Sequence, residues 1–465
     1  MASKQEVEDA VRNYEQDWAK KDWWAKNCMT GFPIAPTDGN DIIPLIDGES
    51  YGKQLLSEIG KAKKYVFITD WLLDSDFALE RPGTAANSDK KRWAPSTVSV
   101  LVAELARRKV PVRVVLWDRL GSLEVIKQKA ILEQVGAGYC LVALSGALQG
   151  CNKVLGDIHQ KTVVIDGNVA FCGGIDLAYR EESDRWDTSK HCSKDARRQG
   201  QQAENWHDIQ VQVKGPAVKW IQENFRRRWA VAVGKDVDVK LEWPGTRQGS
   251  LRAQVVRTIP EQGWMKYGQP ADTEEYSIVE SYGRAIINAR NLIYIENQYF
   301  TSKFLFDLLQ RRLTAMPSLH LIVLLPKRDE MGVAMNGSEP SLFMDGIPPL
   351  LAAAALQKIA PARVFFGRRV NDKGEPIYVH AKIMIVDDVY AVIGSSNFSD
   401  RSMLNQDQEL DIAWVDEKGT SVSGFRKKLW AEHFGVSPER PSLAGKPAEL
   451  VQLWRSCNGL VRKWE

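Results

Sequence analysis

Apolar and polar residues follow two alternating rhythms along this chain. Tyr65-Val66-Phe67-Ile68-Thr69 and Val112-Arg113-Val114-Val115-Leu116 are short β-branched or aromatic runs that predict strands, and between them, from Thr97 to Arg108, apolar residues recur at helical spacing. The order returns downstream: Leu292 to Ile295 reads as a strand, Leu305 to Leu313 as a helix, and Leu319 to Leu325 as a strand again. Strands alternating with helices predict an α/β architecture. From Arg180 to Asn205 the chain is polar, charged and unpatterned, a long loop of the kind that usually carries function.

A second, much longer period lies over the first. Ile158-His159-Gln160-Lys161 runs on through Val163, Val164 and Ile165 to Asp166, and Val379-His380-Ala381-Lys382 runs on through Met384, Ile385 and Val386 to Asp387. The same offset aligns Gly173 with Gly394 and Asp176 with Asn397. Five anchors at one offset point to internal duplication. Each copy continues to an acidic residue opening a strand, Asp208 and Glu409, and then to a helix rich in Trp, Phe and Arg, Trp220 to Trp229 and Phe425 to Phe434. Pro244, Gly245 and Gly249 punctuate a polar linker, so the predicted division is an N-terminal extension at 1–45, a first half at 46–243 with its motif at 159–166, and a second half at 244–465 with its motif at 380–387.

Composition narrows the options. With 62 basic and 59 acidic side chains in 465 residues, the net charge of +3 gives no global field for nucleic acid. Six scattered cysteines without a C-x-x-C pair read as free thiols rather than a disulfide framework. The start, Met-Ala-Ser-Lys followed by Glu6, Glu8 and Asp9, lacks the pattern of a secretory signal, and no window approaches the ~20 apolar residues that cross a bilayer. Synthesis in the cytoplasm is expected, with visits to a membrane surface or export by a non-Sec route. Of the sixteen tryptophans, Trp18, Trp23 and Trp24 cluster among lysines near the N-terminus; packing is the expected role for them.

On a strand, residues two apart share a face, so His159 with Lys161, and His380 with Lys382, each present an imidazole beside an ammonium. Two such pairs brought together grip one anionic group, and no metal or cofactor is called for. In-line displacement at phosphorus needs an attacking group and a leaving group on opposite sides. Two opposed histidines supply both, one attacking as neutral imidazole to form a phosphohistidine, the other protonating the departing alkoxide. The lysines and Asn397 hold the nonbridging oxygens. Each histidine needs a carboxylate on its other ring nitrogen, and Asp208 and Glu409 are the candidates. Asp166 and Asp387, an odd seven residues from their histidines, face away and read as structural charge partners. Asp176 and Ser395 are also read as structural, Asp176 because a second anion would repel phosphate. His191, His207, His320 and His433 lack such context and receive no chemistry, although His207 is noted for its place beside Asp208.

These motifs resemble the phospholipase D superfamily, whose hallmark is two H-x-K-x4-D motifs. Ile295-Glu296-Asn297-Gln298-Tyr299-Phe300-Thr301, Gly394-Ser395-Ser396-Asn397 with Asp400-Arg401-Ser402, Thr69-Asp70-Trp71 and Leu116-Trp117-Asp118 resemble its phospholipase branch, including eukaryotic members, over roughly Tyr51 to Gly435. The resemblance implies two similar α/β/α halves, each a mixed sheet flanked by helices, packed about a pseudo-twofold axis. It implies hydrolysis of membrane phospholipids of the phosphatidylcholine and phosphatidylethanolamine class to phosphatidate and free headgroup, with alcohol exchange. It also implies that His159 is the nucleophile and His380 the acid. Ile158 departs from the pattern, since many phospholipase members carry a second histidine there. With about 40 residues ahead of the catalytic region and no lipid-targeting module read in them, membrane recruitment is expected to be intrinsic or partner-driven. A signal-less, catalytic-only chain of this type further resembles bacterial antibacterial effectors, which implies an immunity protein or a secretion-system component as partner. A superfamily endonuclease, a cardiolipin or phosphatidylserine synthase-like phosphatidyltransferase and a non-catalytic lipid scaffold are the competing readings. Near-neutral charge opposes the first, lack of membrane spans the second, and intact motifs the third.

Overall fold

The computed structural model describes residues 23–30, 33–118, 122–145, 157–179, 184–199, 205–243, 247–260, 275–327, 346–405, 407–457 and 459–464. Trp18, Cys151 and most of the segment from Met331 to Pro349, which the sequence suggests as part of the site's rim, lie outside them.

The runs rich in Val, Ile and aromatic residues form the strands, and nearly all are buried on both faces, as expected where helices or a second sheet cover a sheet. In the first half these are β1 (Thr37–Ile46), β2 (Val66–Asp70), β3 (Val112–Trp117), β4 (Cys140–Ser145), β5 (Thr162–Ile165), β6 (Val169–Gly173), β7 (Asn205–His207) and β8 (Ile209–Lys214). In the second they are β9 (Leu251–Ile259), β10 (Leu292–Glu296), β11 (His320–Leu324), β12 (Val364–Val370), β13 (Pro376–Val379), β14 (Ile383–Val386), β15 (Tyr390–Gly394) and β16 (Glu409–Val415).

The pairings of the two halves match strand for strand. The first sheet runs β4-β3-β2-β5-β6-β8-β1, with β2, β3 and β4 parallel and the remaining pairs antiparallel. The second runs β12-β11-β10-β14-β15-β16-β9 with the same senses. Strand β1 joins them: Asp41 to Ile46 pair with β8, and beyond a bulge at Asp38/Asn40 its first residues pair with β9. Helices α1 (Asp47–Ile59), α2 (Val98–Arg107), α3 (Leu123–Val135) and α4 (Val218–Val233) belong to the first half, and α5 (Ser277–Asn288), α6 (Lys303–Ala315), α7 (Pro349–Ile359), α8 (Thr420–Phe434) and α9 (Pro447–Arg455) to the second.

One apolar cluster crosses the junction, bringing Ile209, Val211 and Val213 of β8 together with Ile383, Ile393 and Ile412 of β14, β15 and β16. Two further clusters fill the space between each sheet and its outer helices. Trp24 packs into that of the second half. The two halves therefore share a core, and burial of these side chains, worth ~1.5–3 kcal/mol each, fixes their relation. Cys28, Cys140, Cys172, Cys192 and Cys457 are free thiols. Among the described residues no helix is long and apolar enough to cross a membrane.

Candidate active site

The His-x-Lys triplets correct one expectation. They do not lie within strands; β5 begins at Thr162 and β14 at Ile383, one residue after each lysine. The triplets are extended segments that lead into those strands, and their histidine backbones pair with the opposite half. The His159 N–H donates to the Gln408 carbonyl (3.0 Å), and Ile158 bridges Gln408 in parallel. In the mirrored arrangement β13 pairs in parallel with β7, and the His380 N–H donates to the His207 carbonyl (2.8 Å).

This exchange decides which carboxylate backs which imidazole. Gln408 precedes Glu409 and His207 precedes Asp208, so each histidine meets the acid of the other half. Nδ1 of His159 lies 3.1 Å from both Glu409 oxygens and 3.0 Å from the Ser395 carbonyl. Nδ1 of His380 lies 2.6 Å from Oδ2 of Asp208. With Nδ1–H donating to a carboxylate, Nε2 of each ring carries the lone pair or the exchangeable proton. Ser395 and Ser402 hydroxyls hold Glu409 in turn, the latter at 2.8 Å.

The two lysines are buried with the rings. Nζ of each donates to the carbonyl of its own histidine, Lys161 at 2.9 Å. Lys161 also meets Asp176 at 3.4 Å, and Lys382 meets Gln298 Oε1 at 3.3 Å. Gln298 in turn donates to the Tyr378 hydroxyl (2.7 Å), which orients it. Asn397 is buried, and its Oδ1 accepts no hydrogen bond from the described residues.

The four groups share one electrostatic environment. Burial, then Lys161 and Lys382, hold the His159 imidazole well below its ordinary value. Burial lowers His380 as well, followed by Lys382, Arg185, Lys161 and His159. Each ring feels the other half's lysine, which places both motifs around one volume. Lys382 is pushed down to about 7, chiefly by burial. Burial raises Glu409 to about 8 and Asp208 to about 6. A low-dielectric site in which the charged forms of His159, His380 and Lys382 are suppressed is one that an anionic ligand would relieve.

The motif aspartates are structural, but by a different device from a counter-charge. Each ends its strand at positive φ, 52° for Asp166 and 53° for Asp387. Each accepts three successive backbone N–H groups, those of Lys63, Lys64 and Tyr65 for Asp166 and those of Arg290, Asn291 and Leu292 for Asp387. They anchor β2 and β10. Asp176 accepts from the Leu72 N–H (3.1 Å) and lies 3.7 Å from Arg185.

Several residues around the rings were not singled out as site residues from sequence. Trp71 stacks on Trp117 and meets His159 edge to face at 5.9 Å between ring centres. Trp206 packs against His380 at 4.7 Å, and the Arg185 guanidinium lies 3.8 Å over Trp206. Trp71 and Trp117 stand in motifs of the family resemblance. Arg185 stands in the unpatterned loop, whose length was the only signal.

Over residues 152–323 and 356–452 the chain matches the family model described as Phospholipase D, and it belongs to that family. It is 26% identical to Phospholipase D alpha 1 of Arabidopsis thaliana over 85% of this chain and 66% of that one. Phospholipase D alpha 1 of Carica papaya gives 26% identity, with 85% and 65% covered. The chain thus spans just under two thirds of the length of these relatives. Among solved structures, phosphatidylserine synthase of Haemophilus influenzae Rd KW20 superimposes with a TM-score of 0.54 at 12% identity, covering 98% of both chains, which is a likeness of fold. The expected effector role and immunity partner rest on the sequence resemblance alone.

Proposed function

We propose that this protein is a phospholipase D that hydrolyses the headgroup-side phosphodiester of glycerophospholipids, releasing phosphatidate and a free alcohol. The observation that carries the reading is the crossed pair of imidazoles, each backed by the carboxylate of the opposite half and flanked by buried lysines. Nε2 of His159 attacks phosphorus as the bond to the headgroup oxygen breaks, and Nε2–H of His380 protonates that oxygen. Water then gives its proton to His380 and attacks the phosphohistidine, breaking the P–N bond and restoring neutral His159. A primary alcohol in place of water gives transphosphatidylation. Lys161, Lys382 and Asn397 hold the nonbridging oxygens throughout.

The plant relatives' names and the family support phospholipid over nucleic acid, as does the near-neutral net charge. Incubation of purified protein with vesicles of phosphatidylcholine, phosphatidylethanolamine or cardiolipin, and separately with plasmid DNA, tests the reading. Phosphatidate from the vesicles is the expected result. Nicked plasmid with intact lipid would replace the proposal with a nuclease.

A further inference from the structure

A second cluster of chemistry-bearing side chains lies behind the reacting groups and takes no part in the steps above. Asp47, at the start of α1, His191 in the loop, and His207 in β7 come from the first half; Glu432 in α8 comes from the second. Nε2 of His191 is 3.3 Å from Oδ2 of Asp47 and 3.2 Å from Oε1 of Glu432, and Nδ1 of His207 is 3.5 Å from the same Glu432 oxygen. All four ligand atoms lie within 4.8 Å of one another. A tetrahedral zinc site with bonds of ~2.0–2.1 Å has ligand atoms about 3.3 Å apart.

The surroundings of the two rings fit as well. Metal-bound imidazoles typically donate their other N–H to a carboxylate, which fixes the tautomer and raises basicity. Nδ1 of His191 lies 3.2 Å from Asp187, and Nε2 of His207 lies 2.9 Å from Glu296. With those nitrogens protonated, the remaining ones, Nε2 of His191 and Nδ1 of His207, both face Asp47 and Glu432, and Nδ1 of His207 lies 2.9 Å from Oδ1 of Asp47. Asp47 is 1% exposed, and its Oδ2 has no hydrogen bond among the described residues.

Charge leaves room for a dication once both imidazoles are neutral, so an entering ion takes the place of any proton they hold. Asp47, Asp187, Glu296 and Glu432 carry four negative charges. Arg198, 3.1 Å from Asp187, and Arg369, 2.9 Å from Glu432, return two positive ones. Arg369 shares the Glu432 oxygen and lies 3.2 Å from Nε2 of His191, so it must give way slightly as an ion enters. An open cleft of about 520 Å³, lined by Glu432, Lys190 and Cys192 among others, reaches the cluster's edge.

We propose that Asp47, His191, His207 and Glu432 bind one divalent transition metal, zinc by their nitrogen and oxygen donor set, as a structural clamp between the halves. The clamp would sit one residue from Asp208, fixing the strand that delivers this carboxylate to His380. It is independent of the reaction proposed above, so its test reads metal content and stability instead of turnover.

Purified full-length protein is stripped by dialysis against chelator, reloaded with Zn²⁺ or Co²⁺, and freed of excess ion. Retention of about one zinc per chain by elemental analysis, a melting temperature raised on the order of 4 °C, and visible absorption typical of four-coordinate cobalt are expected. Glu432→Gln, at the cluster's edge, should lose about nine tenths of the metal or more while keeping the circular dichroism of the parent. His191→Ala should behave likewise, and His320→Ala, outside the cluster, should retain its metal. Should His191→Ala fail to fold, Glu432→Gln alone decides. No retained metal in the parent protein, or equal retention in a folded Glu432→Gln, would overturn the site and leave a cage held by protons and guanidiniums.

Discussion

At the scale of single residues, the crossed wiring of imidazoles and carboxylates makes the two acids separable by experiment. Glu409 holds His159 and Asp208 holds His380. Replacing either by its amide keeps the shape but removes the group that ionises against an imidazolium as it forms, which should lower turnover of natural lipid by roughly 10²–10⁴-fold. A substrate with a p-nitrophenol leaving group needs no proton from the acid in the first step. Asp208→Asn should therefore keep its burst of p-nitrophenol, and Glu409→Gln should lose it. A burst lost in Asp208→Asn and kept in Glu409→Gln would reverse the roles of the histidines. The candidates themselves were legible, because each acid stands at the head of a strand in a repeated pattern, Asp208 just before β8 and Glu409 as the first residue of β16. The pairing was not legible, since sequence symmetry is equally consistent with each half serving itself.

At the scale of elements, the strands and helices that carry apolar period were readable, with boundaries moved by a residue or two; Thr97 to Arg108, for instance, is helical over Val98–Arg107. The elements that decide the site are the ones without period. Strands β7 and β13 are three and four residues long and pair across the two halves, far apart in sequence. The His-x-Lys triplets follow the same rule, and a reading built on strand alternation placed them one element too far along. The motif aspartates belong to this scale too. Each gathers three N–H groups at the entry of a central parallel strand, so Asp387→Ala should destabilise the protein by about 2–4 kcal/mol, the cost of leaving three partly buried donors unpaired. Asp166→Ala should cost less, because two of its three hydrogen bonds are exposed. Denaturant unfolding of the two variants checks the order, and equal stability with the parent would show that neither carboxylate anchors its strand.

At the scale of the whole molecule, near-neutral net charge conceals a local concentration of cationic groups, because the fold carries Lys161, Lys382 and Arg185 to one buried place. A sum over the chain cannot see this; only the duplication hinted at it. The consequence is a pH dependence that differs between free and occupied protein. In the free state both imidazoles sit below their ordinary value of 6.5, through burial first and the lysines next. An acid with a lowered value loses its proton at lower pH, so the alkaline limb of kcat/KM, which reports the free protein, should fall below pH 6.5. A bound phosphodiester brings a negative charge that favours the imidazolium, so the alkaline limb of kcat should lie at higher pH. The apparent values belong to the coupled pair of rings, not to either one. Binding should accordingly take up protons. Calorimetric titration with inorganic vanadate near neutral pH, in buffers of different ionisation enthalpy, reads that uptake directly. Coincident limbs with no proton uptake would mean that the rings and lysines do not answer to a common anion.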